Sequence, residues 1–169
     1  MNSQVKALSK GMITQLHLAL VMSLDVTLLI LDEPTLGLDI VYRKAFYDRL
    51  LADFVDDRRS LIISTHQVEE IEPLLTHLVF LSNGQLVLSC STDEVSKRFA
   101  TLQVAPDAIE AARQLQPIGE QQLLGRYQLI FDSVPGEQLA ALGEVRLTPI
   151  ADLFVALVLA ERQREVRND

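Results

Sequence analysis

Two short, wholly apolar runs, each closed by polar residues and each followed by a helical pattern, constrain this chain most. Leu28-Leu29-Ile30-Leu31 runs into Asp32-Glu33-Pro34, and Leu61-Ile62-Ile63-Ser64 runs into Thr65-His66. An apolar run without alternation suits a strand buried on both faces of a parallel sheet. Between the runs, Tyr42, Phe46, Leu50 and Phe54 step by four, which predicts a helix stopping at the charged group Asp56 to Arg59. Upstream, Met12, Leu16, Ala19 and Leu20 recur at helical spacing, so a helix is expected over Met12 to Ser23 with Ser9 as its N-cap. A short helix from Val68 should end or bend at Pro73. This alternation predicts an α/β fold, a parallel sheet with helices on its faces, and puts both polar groups at carboxyl ends of strands.

The remainder has a different texture. Leu78 to Leu81 and Gln85 to Leu88 read as a hairpin turned at Asn83-Gly84, a pair that accepts the positive φ of a tight turn. After a short helix at Thr92 to Phe99, Pro and Gly punctuate short segments. The order there is strand (Leu102 to Val104), helix (Asp107 to Leu115), two strands around Gly125, helix (Gly136 to Leu142), strand (Val145 to Leu147) and a final helix from Ile150. That order fits a small α+β sandwich of ferredoxin-like type. A boundary near Ala100 divides the chain into residues 1–99 and 100–169.

With 169 residues, 49% of them apolar, there is material for one full domain or two small ones. The net charge of -8, without a Lys/Arg block, argues against nucleic acid as a partner. Cys90, the one cysteine, cannot form an intrachain disulfide; a packing role in a reducing cytosol is expected. Leu16 to Leu31 is interrupted by His17, Ser23, Asp25 and Thr27, so it is no bilayer-spanning run of roughly 20 residues. The N-terminus has no apolar segment of signal-peptide kind. Any membrane connection must be made through a partner.

The acidic pair after the first strand carries the strongest chemical signal. Phosphoryl transfer needs a carboxylate to hold Mg²⁺ and a group to orient the attacking water, and a strand end positions both rigidly. Asp32 suits the metal and Glu33 the general base. Read alone, such a pair is equally ordinary loop chemistry or a helix cap.

The surrounding residues decide between these. Leu28 to Asp39 reads LLILDEPTLGLD, which resembles the Walker B strand and D-loop of the ABC ATPase family. His66, after a second strand, resembles that family's switch histidine, which contacts the γ-phosphate and holds Glu33 and the water in register. His17 and His77 have no such setting and are given no chemical role. Leu8-Ser9-Lys10-Gly11-Met12 resembles the signature motif LSGGQ and departs from it at Lys10 and Met12. A hydroxyl, a glycine and a helix N-terminus still make an anion site. The resemblance implies that Ser9 and Gly11 reach ATP bound by a second ATPase subunit, in a homo- or heterodimer, with Lys10 either adding a charge contact there or facing solvent. Asp39 matches the D-loop aspartate at that interface and is placed to cap the helix beginning near Val41.

Taken together, the resemblance implies an ATP- and Mg²⁺-dependent transport ATPase, cytoplasmic and held at the membrane through a transmembrane permease subunit. The Lys-Gly-Met variant and the α+β tail look most like ATPases of ABC-2-type exporters. The resemblance covers residues 1–99, an incomplete P-loop NTPase sheet: no G-x-x-x-x-G-K-[ST] loop occurs, nor a glutamine loop before the signature. Met1 is therefore expected to be an internal methionine of a longer protein or a misplaced start, and the chain alone to be inactive. Two other readings compete. A DNA-repair-type ABC ATPase would carry heptad arms or a basic surface, and this chain has neither. A non-catalytic regulatory module would bind an intact ABC ATPase.

Overall fold

The computed structural model describes residues 8–54 and 58–168, so Asp56, at the expected helix stop, lies outside the described residues. Two compact units divide between Leu74 and Leu75. The change of sequence texture near Ala100 falls within the second unit, inside a strand.

The first unit runs α1 (Lys10–Met22), β1 (Leu28–Asp32), α2 (Ile40–Phe54), β2 (Ser60–Ser64) and α3 (Val68–Ile71), closing in a 3-10 turn at Glu72–Leu74 that contains Pro73. Ser9 caps α1, its hydroxyl accepting the Met12 N–H at 3.3 Å. Asp39 caps α2, Oδ1 accepting from the amides of Val41 (3.0 Å) and Tyr42 (3.1 Å). β1 and β2 pair in parallel, from Leu28 opposite Ser60 to Asp32 opposite Ser64. The pairing continues one step further where the Glu33 N–H donates to the Ser64 carbonyl at 2.9 Å.

The expectation that the apolar strands are buried on both faces is corrected. Burial alternates along β1: Leu29 and Leu31 are buried, whereas Leu28, Ile30 and, on β2, Ile62 are 48%, 66% and 54% exposed. Parallel sheets are normally covered on both faces, but this one has two strands among the described residues, and it is covered on one side only.

The second unit begins with the hairpin β3 (His77–Ser82) and β4 (Gln85–Ser91), turned at Asn83 (φ 49) and Gly84 (φ 77). α4 (Thr92–Arg98) follows, held by a reciprocal capping box between Ser91 and Glu94. Next come β5 (Phe99–Val104), α5 (Ile109–Arg113), β6 (Gly119–Leu123), β7 (Arg126–Asp132), α6 (Gly136–Ala140), β8 (Glu144–Leu147) and α7 (Ile150–Asn168). The four strands form one antiparallel sheet in the order β6-β7-β5-β8, a β-α-β-β-α-β unit with its first strand inside the sheet.

Strand alternation sends two side-chain sets to opposite faces of that sheet. Leu102, Val104, Leu129 and Phe131 form one cluster with Ile109 and Ala112 of α5 and Leu139 of α6. Thr101 and Ile130 are buried on the other face, where α7 lies, with Ile150, Leu153 and Ala156 buried as well. Thr101 Oγ1 donates to Thr148 Oγ1 at 3.0 Å, and Gln128 Nε2 to Asp152 Oδ2 at 3.2 Å. A Cβ on Gly119 would sit 2.7 Å from that of Ala156, so the glycine is what lets α7 lie directly on β6.

Candidate active site

The expected strand ends meet. Because β1 and β2 are neighbours in register, Asp32 and Ser64 stand side by side, and the Ser64 hydroxyl donates to Asp32 Oδ1. One residue on, Glu33 takes a left-handed backbone conformation (φ 44), which ends the strand abruptly. Its Oε1 accepts the His66 backbone N–H at 3.1 Å and lies 2.7 Å from His66 Nδ1. The Thr65 hydroxyl stands 3.5 Å from the other carboxylate oxygen. A carboxylate that is ionised only accepts hydrogen bonds, so the tautomer that completes this contact is the one with its hydrogen on Nδ1, which leaves Nε2 for a further partner. Glu33 is partly sheltered, with 32% of its side chain exposed, whereas His66 is 65% exposed. The site is thus an open shelf on which one carboxylate is held by a histidine and the carboxylate preceding it in sequence by a serine hydroxyl.

The segment after Glu33 is folded against its own unit. Leu36 N–H donates to the Glu33 carbonyl (3.1 Å) and Leu38 N–H to that of Thr35 (3.0 Å), with Gly37 at φ 83 between them. Thr35 is buried, its hydroxyl 3.2 Å from the buried Tyr47 hydroxyl of α2. A Cβ on Gly11 would come 3.9 Å from the Gly37 carbonyl oxygen, so the start of α1 lies against this loop.

Glu33 and His66 are therefore in contact, and Asp32 stands at the same strand ends with Ser64 as its partner. Ser9 and Asp39 spend the hydrogen bonds given above on the helices they cap, and Gly11 faces the Gly37 loop. The side chain of Lys10 lies outside the described residues. Asp32 is exposed and has a hydroxyl beside it, an oxygen environment that fits Mg²⁺, which binds through one or two carboxylates together with substrate phosphates. Among the described residues no three His, Cys, Asp or Glu side chains gather into a complete metal cage, so phosphate oxygens and water would have to complete the coordination.

Sequence reasoning missed Arg43. In the first turn of α2 it donates from Nε to the Leu38 carbonyl (2.7 Å) and from Nη1 to Gln67 Oε1 (2.5 Å) and Glu70 Oε1 (2.9 Å). A signal was present: a cation in a helix's first turn opposes the macrodipole, so a cation there is best explained by specific partners.

No protein-family model matches the chain. Among curated proteins, the Nod factor export ATP-binding protein I of Cupriavidus metallidurans is 31% identical over 179 residues, 99% of this chain and 57% of that protein. The ABC transporter ATP-binding protein YtrB of Bacillus subtilis is 30% identical over 102 residues, 60% of this chain and 35% of its own length. The ATP-binding cassette sub-family A member 7 of Rattus norvegicus is 35% identical over 109 residues, 62% of this chain and 5% of its own. The chain thus spans less than two thirds of the length of each of these relatives. Among the described residues no helix is long and apolar enough to cross a membrane.

Proposed function

The homologues of this chain are ABC transporter ATP-binding proteins, and from that premise we propose that it supplies the Walker B, D-loop and switch-histidine part of a transport ATPase's site. The observation that carries this reading is the 2.7 Å contact between Glu33 and His66, from the ends of two adjacent parallel strands. Glu33 takes a proton from water as its oxygen attacks the γ-phosphorus of ATP. The bond from that phosphorus to the bridging oxygen breaks, leaving ADP and phosphate. His66 orients the carboxylate through its Nδ1–H and backbone N–H, and its Nε2 faces the γ-phosphate. Asp32 holds Mg²⁺, which when bound offsets the phosphate charge.

Ser9, Lys10 and Gly11 then serve the ATP of a second ATPase subunit, and Asp39 lies at the interface of that dimer. The assembly drives a transmembrane permease of the ABC-2 exporter kind from the cytoplasmic face, and the β-α-β-β-α-β unit is a ferredoxin-like accessory domain. This sequence has no Walker A loop, whose amides and lysine make most phosphate contacts, so the chain by itself turns over ATP negligibly.

The test has two parts. Phosphate release by the 169-residue chain with Mg-ATP should stay at background, and the source DNA upstream of Met1 should encode G-x-x-x-x-G-K-[ST] in frame. In the protein carrying that loop, Glu33→Gln should lower turnover by about 10²- to 10⁴-fold while ATP still binds. Turnover by the short chain at an intact ATPase's rate, or an unaffected Glu33→Gln enzyme, overturns the reading. An in-frame stop just upstream of Met1, with capture of an intact ABC ATPase by this chain, would favour a non-catalytic module instead.

A further inference from the structure

We propose that Arg43 is a positioning residue that locks the loop after β1 to the loop after β2, and thereby keeps Glu33 and His66 in register. The β1–β2 ladder ends with the Glu33 N–H on the Ser64 carbonyl; beyond it one chain turns into α2 and the other into α3. Backbone pairing holds the two strands together only as far as Glu33. The Arg43 guanidinium spans the gap that follows. Nε takes the Leu38 carbonyl, which belongs to the first loop, and Nη1 takes Gln67 and Glu70, which belong to the second loop and its helix. Gln67 is joined to the site itself: its N–H donates to Thr65 Oγ1 at 3.0 Å, and that hydroxyl faces Glu33 Oε2.

The choice of arginine follows from this geometry. A planar fork of five donors reaches a backbone carbonyl and two side-chain oxygens at once, which a lysine's single ammonium does not reproduce. The ion pair is sheltered, with 23% of the Arg43 and 27% of the Glu70 side chain exposed, so water screens it less than it does a surface pair. The second Glu70 oxygen, Oε2, is buried and has no hydrogen-bond partner among the described residues, which makes the carboxylate depend on Arg43.

This inference rests on the reading of Glu33 and His66 as the reacting pair, but its test needs no catalysis. Amide hydrogen exchange of the ligand-free chain compares two N–H groups: that of Glu33, held by the β1–β2 ladder, and that of His66, held by the Glu33 carboxylate. Arg43→Ala should speed exchange at His66 by about tenfold relative to Glu33, the loss of about one hydrogen bond's worth of order. Arg43→Lys should fail to restore it. Gln67→Leu, which leaves the Arg43–Glu70 pair in place, should give a smaller change in the same direction and serves if Arg43→Ala does not fold. Equal acceleration at both amides, full rescue by lysine, or no change at His66 overturns the proposal. Any of these results leaves the ATPase reading to its own test.

Discussion

Thr35 and Tyr47 are 2% and 3% exposed, and their hydroxyls satisfy one another at 3.2 Å. Burial is the largest influence on the Tyr47 phenol and pushes its pKa up, with the Thr35 hydrogen bond acting against it. Removing one hydroxyl strands the other away from water. Tyr47→Phe should therefore destabilise the chain by about 1–2 kcal/mol, read as a lower urea midpoint at unchanged slope. An unmoved midpoint would mean that water reaches Thr35. Chemistry at this scale was unevenly legible in the sequence. Asp32, Glu33 and His66 stood out because each closes an apolar strand, and a strand's end is a fixed place. Arg43 did not: its place in a helix's first turn hinted at specific partners, but which ones cannot be read until the neighbouring loops are known. The association of Glu33 with His66 was expected from the family resemblance alone; no residue spacing encodes the strand register that brings them into contact.

Among the elements, α4 and β7 are tied by a two-pronged pair: Arg98 Nε to Asp132 Oδ1 at 2.7 Å and Nη2 to Oδ2 at 2.6 Å. The Arg98 hydrogen bond is the main cause holding the Asp132 carboxyl below its usual range, and burial opposes it. A carboxylate with a lowered folded pKa adds stability above its unfolded pKa, about 4, and loses it as pH falls through the folded value. The melting temperature should accordingly decline from about pH 4 downward. Asp132→Asn should cost about 1 kcal/mol at pH 7, discounted for solvent screening, or roughly 3 °C. It should also make the acid decline shallower. Equal acid slopes for both proteins would show that Asp132 is not a contributor. Glu120, lowered chiefly by its hydrogen bond with Arg113, keeps part of the decline in place.

The turn into β8 makes a sterner demand. A Cβ on Gly143 would lie 2.2 Å from the Gln103 carbonyl oxygen, which as backbone cannot move aside. Gly143→Ala should cost about 3 kcal/mol by thermal or urea unfolding; a loss well below about 1 kcal/mol would mean that β8 shifts freely. The order of elements around this turn was readable from the Pro and Gly punctuation. The strand order was not, because it depends on which edges pair.

At the scale of the whole molecule, the uncovered face of the β1–β2 sheet decides behaviour in solution. Leu28, Ile30 and Ile62 present an apolar surface, and a two-stranded sheet leaves both outer strand edges free of ladder partners among the described residues. The apolar runs predicted this surface, and the incomplete sheet implied by the family resemblance predicted that part of it would lie open. Fully burying one such side chain is worth about 1.5–3 kcal/mol, so even half-burial of three between two copies contributes a few kcal/mol. Opposing this is the net charge of -8, whose repulsion acts over about 8 Å at physiological ionic strength and fades as salt is added. The purified chain should therefore self-associate at about 100 µM, and more strongly at higher salt. Threonine preserves strand propensity, so Ile30→Thr with Ile62→Thr should restore a monomer, with about 0.5 kcal/mol or less of stability change per site. Analytical ultracentrifugation across a salt series separates the outcomes. Association that weakens with salt would place the contact on charged surface instead, and a monomeric parent chain would mean that this face is too small to hold two copies together.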